Sequence, residues 1–216
     1  MKKILLGLVA TVMLSVTANA QTSEIKLSEY GFYHNEGVAL FQKNYDKVPS
    51  DSKEALQNFT DLLIKKYPSR FEKVDVNLLY TKFYGMNSLN FDIKKLWANN
   101  KVEFISKQKV SIQFTTLINE IVEKELGFEQ ISLKLTDFKS QNKLSTNDLN
   151  ALEVFESVLK SSNEYWTSTS LSTGKAKPGS KAIAADCLGA LMFCYSGPGS
   201  IIMGGVCSLF VNEAIE

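Results

Sequence analysis

Residues 187–212 read CLGALMFCYSGPGSIIMGGVCSLFVN, an uncharged run that holds all three cysteines of the chain and is broken near its middle by Gly197, Pro198 and Gly199. A stretch this apolar must be buried in the protein's own core, in a partner or in a lipid bilayer, because its exposure to water carries a large free-energy cost. Residues 182–195 and 200–214 are each long enough for about four helical turns, and residues 196–199 suit a connection between antiparallel helices. The expected form is a C-terminal apolar helical hairpin over residues 181–216. Gly189, Ala190, Gly204, Gly205 and Ser208 are small enough to let two backbones approach closely, in lipid or in a tight soluble pair.

Reversal of the chain about Gly197 sets Cys187 opposite Cys207, which makes them a candidate disulfide and leaves Cys194 as the free thiol. Cys187 and Cys194 lie seven residues apart on one arm, about 10.5 Å at 1.5 Å per residue, too far for a disulfide. Closing the loop from Cys187 to Cys207 in an oxidising compartment is worth about 3 kcal/mol, and the alternative is three reduced, buried thiols. Neither arm reaches the roughly 18 to 20 unbroken apolar residues of a simple span, so the membrane alternative is a re-entrant or pore-forming hairpin.

The start of the chain bears on compartment. Lys2 and Lys3 precede an apolar run over residues 4–16, and Ala18, Asn19 and Ala20 supply the small-x-small pattern of a cleavage site, so residues 1–20 are expected to be a cleavable signal peptide. That places the protein in the periplasm or outside the cell. Removing the two lysines from 24 basic residues against 23 acidic ones leaves a formal charge of about −1. The basic residues are interspersed with acidic ones, which excludes the clustered positive surface that nucleic acid requires.

Between these ends, residues 21–160 read as a body of five or six amphipathic helices, so the fold class is mainly α. After a polar lead-in over residues 21–31, Val38, Phe41 and Tyr45 share a helical stripe that ends before Pro49. Asp51 with Glu54 opens a second helix carrying Leu56, Phe59 and Leu63. Val76, Leu79 and Phe83 form a third before Gly85, and Leu89, Ile93 and Leu96 a short fourth that stops at Asn99 and Asn100. Phe114, Leu117, Ile118, Ile121 and Val122 mark a longer helix whose first half is taken as residues 101–109. Ile131, Leu133 and Leu135 alternate as in a strand. Ser145 with Asp148 opens a last helix through Leu149, Leu152, Phe155 and Leu159, and the Ser- and Thr-rich residues 161–180 read as a linker to the tail.

Chemistry-bearing residues are few. His34, the sole histidine, stands with Asn35 and Glu36 in a polar cluster at the start of the first helix. Glu36 is the nearest partner for a general base, yet i and i+2 on a helix point apart, so capping or a buried hydrogen bond is the favoured role. One histidine and cysteines confined to the tail supply no zinc set, and no lysine follows the glycines at 197 and 199 as a phosphate loop requires. No catalytic residue, cofactor, metal or small-molecule ligand is expected. At Tyr33, His34, Asn35, Glu36 and Gly37, and again at Ala185, Asp186, Cys187, Leu188, Gly189 and Ala190 followed by Gly204 and Gly205, the chain resembles uncharacterised secreted proteins of Bacteroidota. These pair an early His-Asn with an apolar tail rich in Gly and Ala, and the resemblance implies bacterial export. The expected function is that of an exported, non-enzymatic structural or interaction protein whose tail, residues 181–216, packs or associates with a protein or membrane. The alternatives are a bacteriocin-like or toxin-like membrane-active protein, and an enzyme of unrecognised type.

Overall fold

The computed structural model describes residues 24–83, 85–173 and 180–213. The expected signal peptide, residues 1–20, lies outside them. The described chain is mainly helical, with ten α-helices and no strand among the described residues. A 3-10 turn at Leu27–Glu29 leads into α1 (Tyr30–Asn44), followed by α2 (Ser52–Lys66) and the short α3 (Pro68–Phe71) and α4 (Val76–Tyr80). Then come α5 (Ile93–Gln108), α6 (Ile112–Lys124), α7 (Phe128–Gln141) and the long α8 (Thr146–Thr173), and the chain closes with α9 (Ser180–Met192) and α10 (Pro198–Glu213).

Local chemistry explains most of the boundaries. Asp51 accepts from the Glu54 amide at 2.8 Å to cap α2. Ser145 and Asp148 exchange hydrogen bonds at the start of α8, the Asp148 amide donating to Ser145 Oγ at 3.1 Å and Ser145 Oγ donating to Asp148 Oδ2 at 2.8 Å. Asp148 also accepts from the Ser111 amide at 2.8 Å, so the start of α6 is tied to the start of α8. Burial works against ionisation of this carboxyl, but its four donor contacts from Ser111 and Ser145 hold it below the usual range.

Three local expectations are corrected. Residues 101–108 belong to α5, because Lys109 turns left-handed (φ 53°) and ends that helix before Ser111 caps the next. Asn99 and Asn100 do not stop α5 either: Asn100 is buried and donates to the carbonyls of Lys82 and Leu96. Ile131 and Leu135 lie on one face of α7, buried with Phe138, while Leu133 is exposed, so only two of the three alternating residues belong to the helical stripe. With α3 and α7 added, the helices before the tail outnumber the five or six expected.

The larger correction concerns the tail. Residues 161–173, read as the beginning of a linker, continue α8, and Ser162 and Trp166 are buried against the rest of the fold. The composition is polar, but Ser162 and Trp166, four residues apart, place one buried face on a long helix. The tail is not a separate unit. α9 and α10 pack against each other, α10 lies on α1 and α2, and α9 lies on α8, α5 and α7. Every residue of 182–193 and 199–211 is buried, so this pair is the centre of the protein and the amphipathic helices form its shell.

Glycines set how closely the layers meet. A Cβ on Gly189 would lie 2.9 Å from the Gly204 Cα, and one on Gly205 would lie 2.1 Å from the Phe59 ring, whose other side meets Gly37. Phe59 of α2 is therefore clamped between α1 and α10. At the other end of α9 the turn over Cys194–Ser196 is held by Tyr195, which donates to Glu103 Oε1 at 3.1 Å, while Lys82 donates to Oε2 at 2.6 Å. Gly197, at φ +59°, makes the reversal that Pro198 then converts into the first residue of α10.

Candidate functional site

Helical phase splits the polar cluster at the head of α1. His34 points inward and is wholly buried, its Nδ1 3.1 Å from Asn35 Oδ1. Asn35 in turn donates to the Ser161 carbonyl at 2.6 Å, joining α1 to α8. Glu36 points outward to Lys66 and to Tyr67, whose hydroxyl donates to it at 2.7 Å. Partial burial opposes ionisation of Glu36, but those two donors keep it below the usual carboxylate range.

What His34 meets instead is Asp186. The carboxylate lies on α9, is wholly buried, and has its Oδ2 3.9 Å from His34 Nε2. The same oxygen accepts from Ser162 Oγ and from Trp166 Nε1 at 3.1 Å, two residues four apart on one face of α8. The Ser208 hydroxyl of α10 lies near the carboxyl without completing a hydrogen bond. Gly204 makes room for this: a Cβ there would approach His34 Cδ2 to 3.2 Å. Four helices thus converge on one buried carboxyl. Burial pushes its pKa up, opposed by His34, Ser162, Ser208 and Trp166.

Serine, histidine and aspartate are together, but their connectivity is not that of a nucleophilic triad. There the histidine lies between the serine and the carboxylate and takes the serine proton. Here the carboxylate lies in the middle, Ser162 donates to it, and all three side chains are out of reach of solvent. The arrangement holds helices together; it does not activate a nucleophile.

The three cysteines carry free thiols. Cys207 Sγ lies 3.0 Å from where a Cβ on Gly189 would stand, and Cys187 and Cys207 are both buried as thiols. Burial, then the Asp186 charge, pushes both Cys187 and Cys207 well above the usual thiol range, and burial pushes Cys194 up to about 12. None is a thiolate near neutral pH. A thiol reagent is expected to leave Cys187 and Cys207 unmodified in the native protein and to count three thiols after denaturation without reductant; a count of one would restore the disulfide.

Asp186 is visible in the sequence as the lone charge of residues 182–212, and Ser162 and Trp166 lie in what composition marks as linker. The lone charge was the available clue to the site. Among the described residues no three His, Cys, Asp or Glu side chains converge as a metal set, and no described helix is long and apolar enough to cross a membrane. No protein family, curated protein or solved structure matches this chain.

Proposed function

We propose that this is an exported, non-enzymatic structural or interaction protein, delivered by its signal peptide to the periplasm or the cell exterior, in which the apolar tail serves as a helical hairpin for packing. The single observation that carries this reading is the burial of residues 182–193 and 199–211 on every side by the chain's own helices. A helix apolar all round must be enclosed, and here α1, α2, α5, α7 and α8 contribute to the enclosure. The chemistry at the centre agrees, since the wholly buried Asp186 carboxyl is bound by donors from a neighbouring helix.

Truncation tests the reading. A chain ending at residue 179 loses the surfaces that cover Phe59, Leu79 and Phe83, so it is expected to keep partial helicity, lose its cooperative thermal transition and bind a hydrophobic dye. A truncated chain that melts cooperatively at the full-length midpoint overturns the proposal.

A further inference from the structure

α9 and α10 are the most uniformly apolar helices of the fold, and they pack more extensively on each other than on any shell helix. Their mutual contact runs through small residues, with Gly189 against Gly204 and Ala190 beside Gly204. Such a contact needs no water to drive it and holds equally well in hydrocarbon. The backbone hydrogen bonds of both helices are internal, so the pair also meets the backbone requirement of an apolar medium.

One feature is foreign to a pair built only for packing. A carboxylate at its centre is costly to bury, and apolar residues of similar volume often do as well or better for stability. What the carboxylate adds is a directional attachment. Asp186 fastens α9 to α8 through Ser162 and Trp166 and faces His34 of α1 at 3.9 Å, while Cys187 of its own helix and Ser208 and Cys207 of α10 flank it. Three of the polar atoms there, His34 Nε2, Asp186 Oδ1 and Ser208 Oγ, are buried without a hydrogen-bond partner. The attachment is therefore incompletely satisfied, and the unpaired atoms offset part of what its bonded donors contribute.

We propose that the Asp186 cluster is a lock that keeps the α9–α10 pair inside the shell, and that its opening delivers the pair to a phospholipid bilayer. This rests on reading the pair as the protein's own core in the resting state. The longer helix, with 16 residues, extends about 24 Å at 1.5 Å per residue, less than the roughly 30 Å hydrocarbon layer. The pair accordingly enters the bilayer part-way as a re-entrant unit, with Gly197 and Pro198 at its turn.

The test uses the mature chain, residues 21–216, and phosphatidylcholine vesicles containing a quarter phosphatidylglycerol and loaded with a self-quenched dye. Asp186→Ala opens the lock, Asp186→Asn preserves its geometry, and Phe114→Ala, remote in α6, is brought to the same urea midpoint as Asp186→Ala by adjusting temperature. Asp186→Ala is expected to release dye about ten-fold faster than Phe114→Ala at equal global stability, with Asp186→Asn near wild type. Equal rates for the two alanine variants, or no release by either, overturn the lock. Should Asp186→Ala not fold, Ser162→Ala, which removes one donor, is compared with its own stability-matched control under the same criteria. Loss of the cooperative transition on truncation and absence of dye release are separate results, so failure of the core reading and failure of the lock are distinguishable.

Discussion

Replacing Asp186 with alanine is expected to lower the unfolding free energy by about 3 kcal/mol at neutral pH, the range seen when one member of a buried polar set is removed and its partners are left unpaired. The loss has two sources. Ser162 and Trp166 lose their acceptor and His34 loses the carboxyl it faces, all inside a region without solvent. A small cavity is added at the contact of α8 with α9. Asp186→Asn keeps an oxygen for the two donors and is expected to cost about 1 kcal/mol or less. Urea unfolding of the three proteins measures this; an alanine variant as stable as wild type removes the cluster from any account of the fold.

The same pair of variants isolates a pH dependence whose sign follows from burial. Asp186 has its pKa raised in the folded state, so the folded protein holds this proton more tightly than the unfolded chain does. Its contribution to stability is then fully present below the ordinary carboxylate value and declines as the pH rises through the raised value. Other carboxyls act oppositely: Glu120, hydrogen-bonded by Lys124 and Lys134, is pushed down to about 2, and Glu36 and Glu103 are also lowered by their lysine and tyrosine partners, although burial opposes this at Glu36. Their stabilisation is lost in acid. Because these groups are shared, the difference between wild type and Asp186→Asn reports Asp186 alone: wild type is expected to gain on the variant as the pH falls from neutral. A difference that stays flat shows that Asp186 is not perturbed.

Gly205→Ala is the second large effect. On a solvent-exposed helix this change stabilises by up to about 1 kcal/mol through propensity alone. Here the new Cβ falls 2.1 Å from the Phe59 ring, which has Gly37 on its other side and is stacked near Phe41, with centroids 6.2 Å apart. The ring has nowhere to go, so overpacking prevails and the expected net loss is about 2–3 kcal/mol. Combining Gly205→Ala with Phe59→Leu should recover part of it, giving a coupling energy of about 1 kcal/mol or more. Strict additivity would show that the helices separate to accommodate the methyl group instead.

These two sites differ in how far the sequence reveals them. The stripe of Leu56, Phe59 and Leu63 marks the buried face of α2 from periodicity alone, as does the cap at Asp51, because both depend on neighbours within a few residues. That Phe59 lies between Gly37 and Gly205 depends on residues 22 and 146 positions away, and no local pattern encodes it. The sequence leaves His34 a choice between a cap and a buried hydrogen bond, and because the Asp186 it faces is on α9, local pattern places neither the distance nor the role. The Ser- and Thr-rich start of the expected linker misled for a related reason: Ser162 and Trp166 are helical because they pack and bond, a gain that composition does not register.

The sequence by itself determined that the chain is mainly helical, where some of the helices begin, and that residues 187–212 must be enclosed by something apolar. These are consequences of hydrophobic period, capping chemistry and the cost of hydrating an uncharged run. Only the tertiary structure decided what encloses it: the body's own helices, gathered around α9 and α10 and fastened through Asp186. Burial is demanded by composition, but the choice of partner is a comparison of packing and hydrogen bonding among distant residues, and that comparison exists only once the chain is folded.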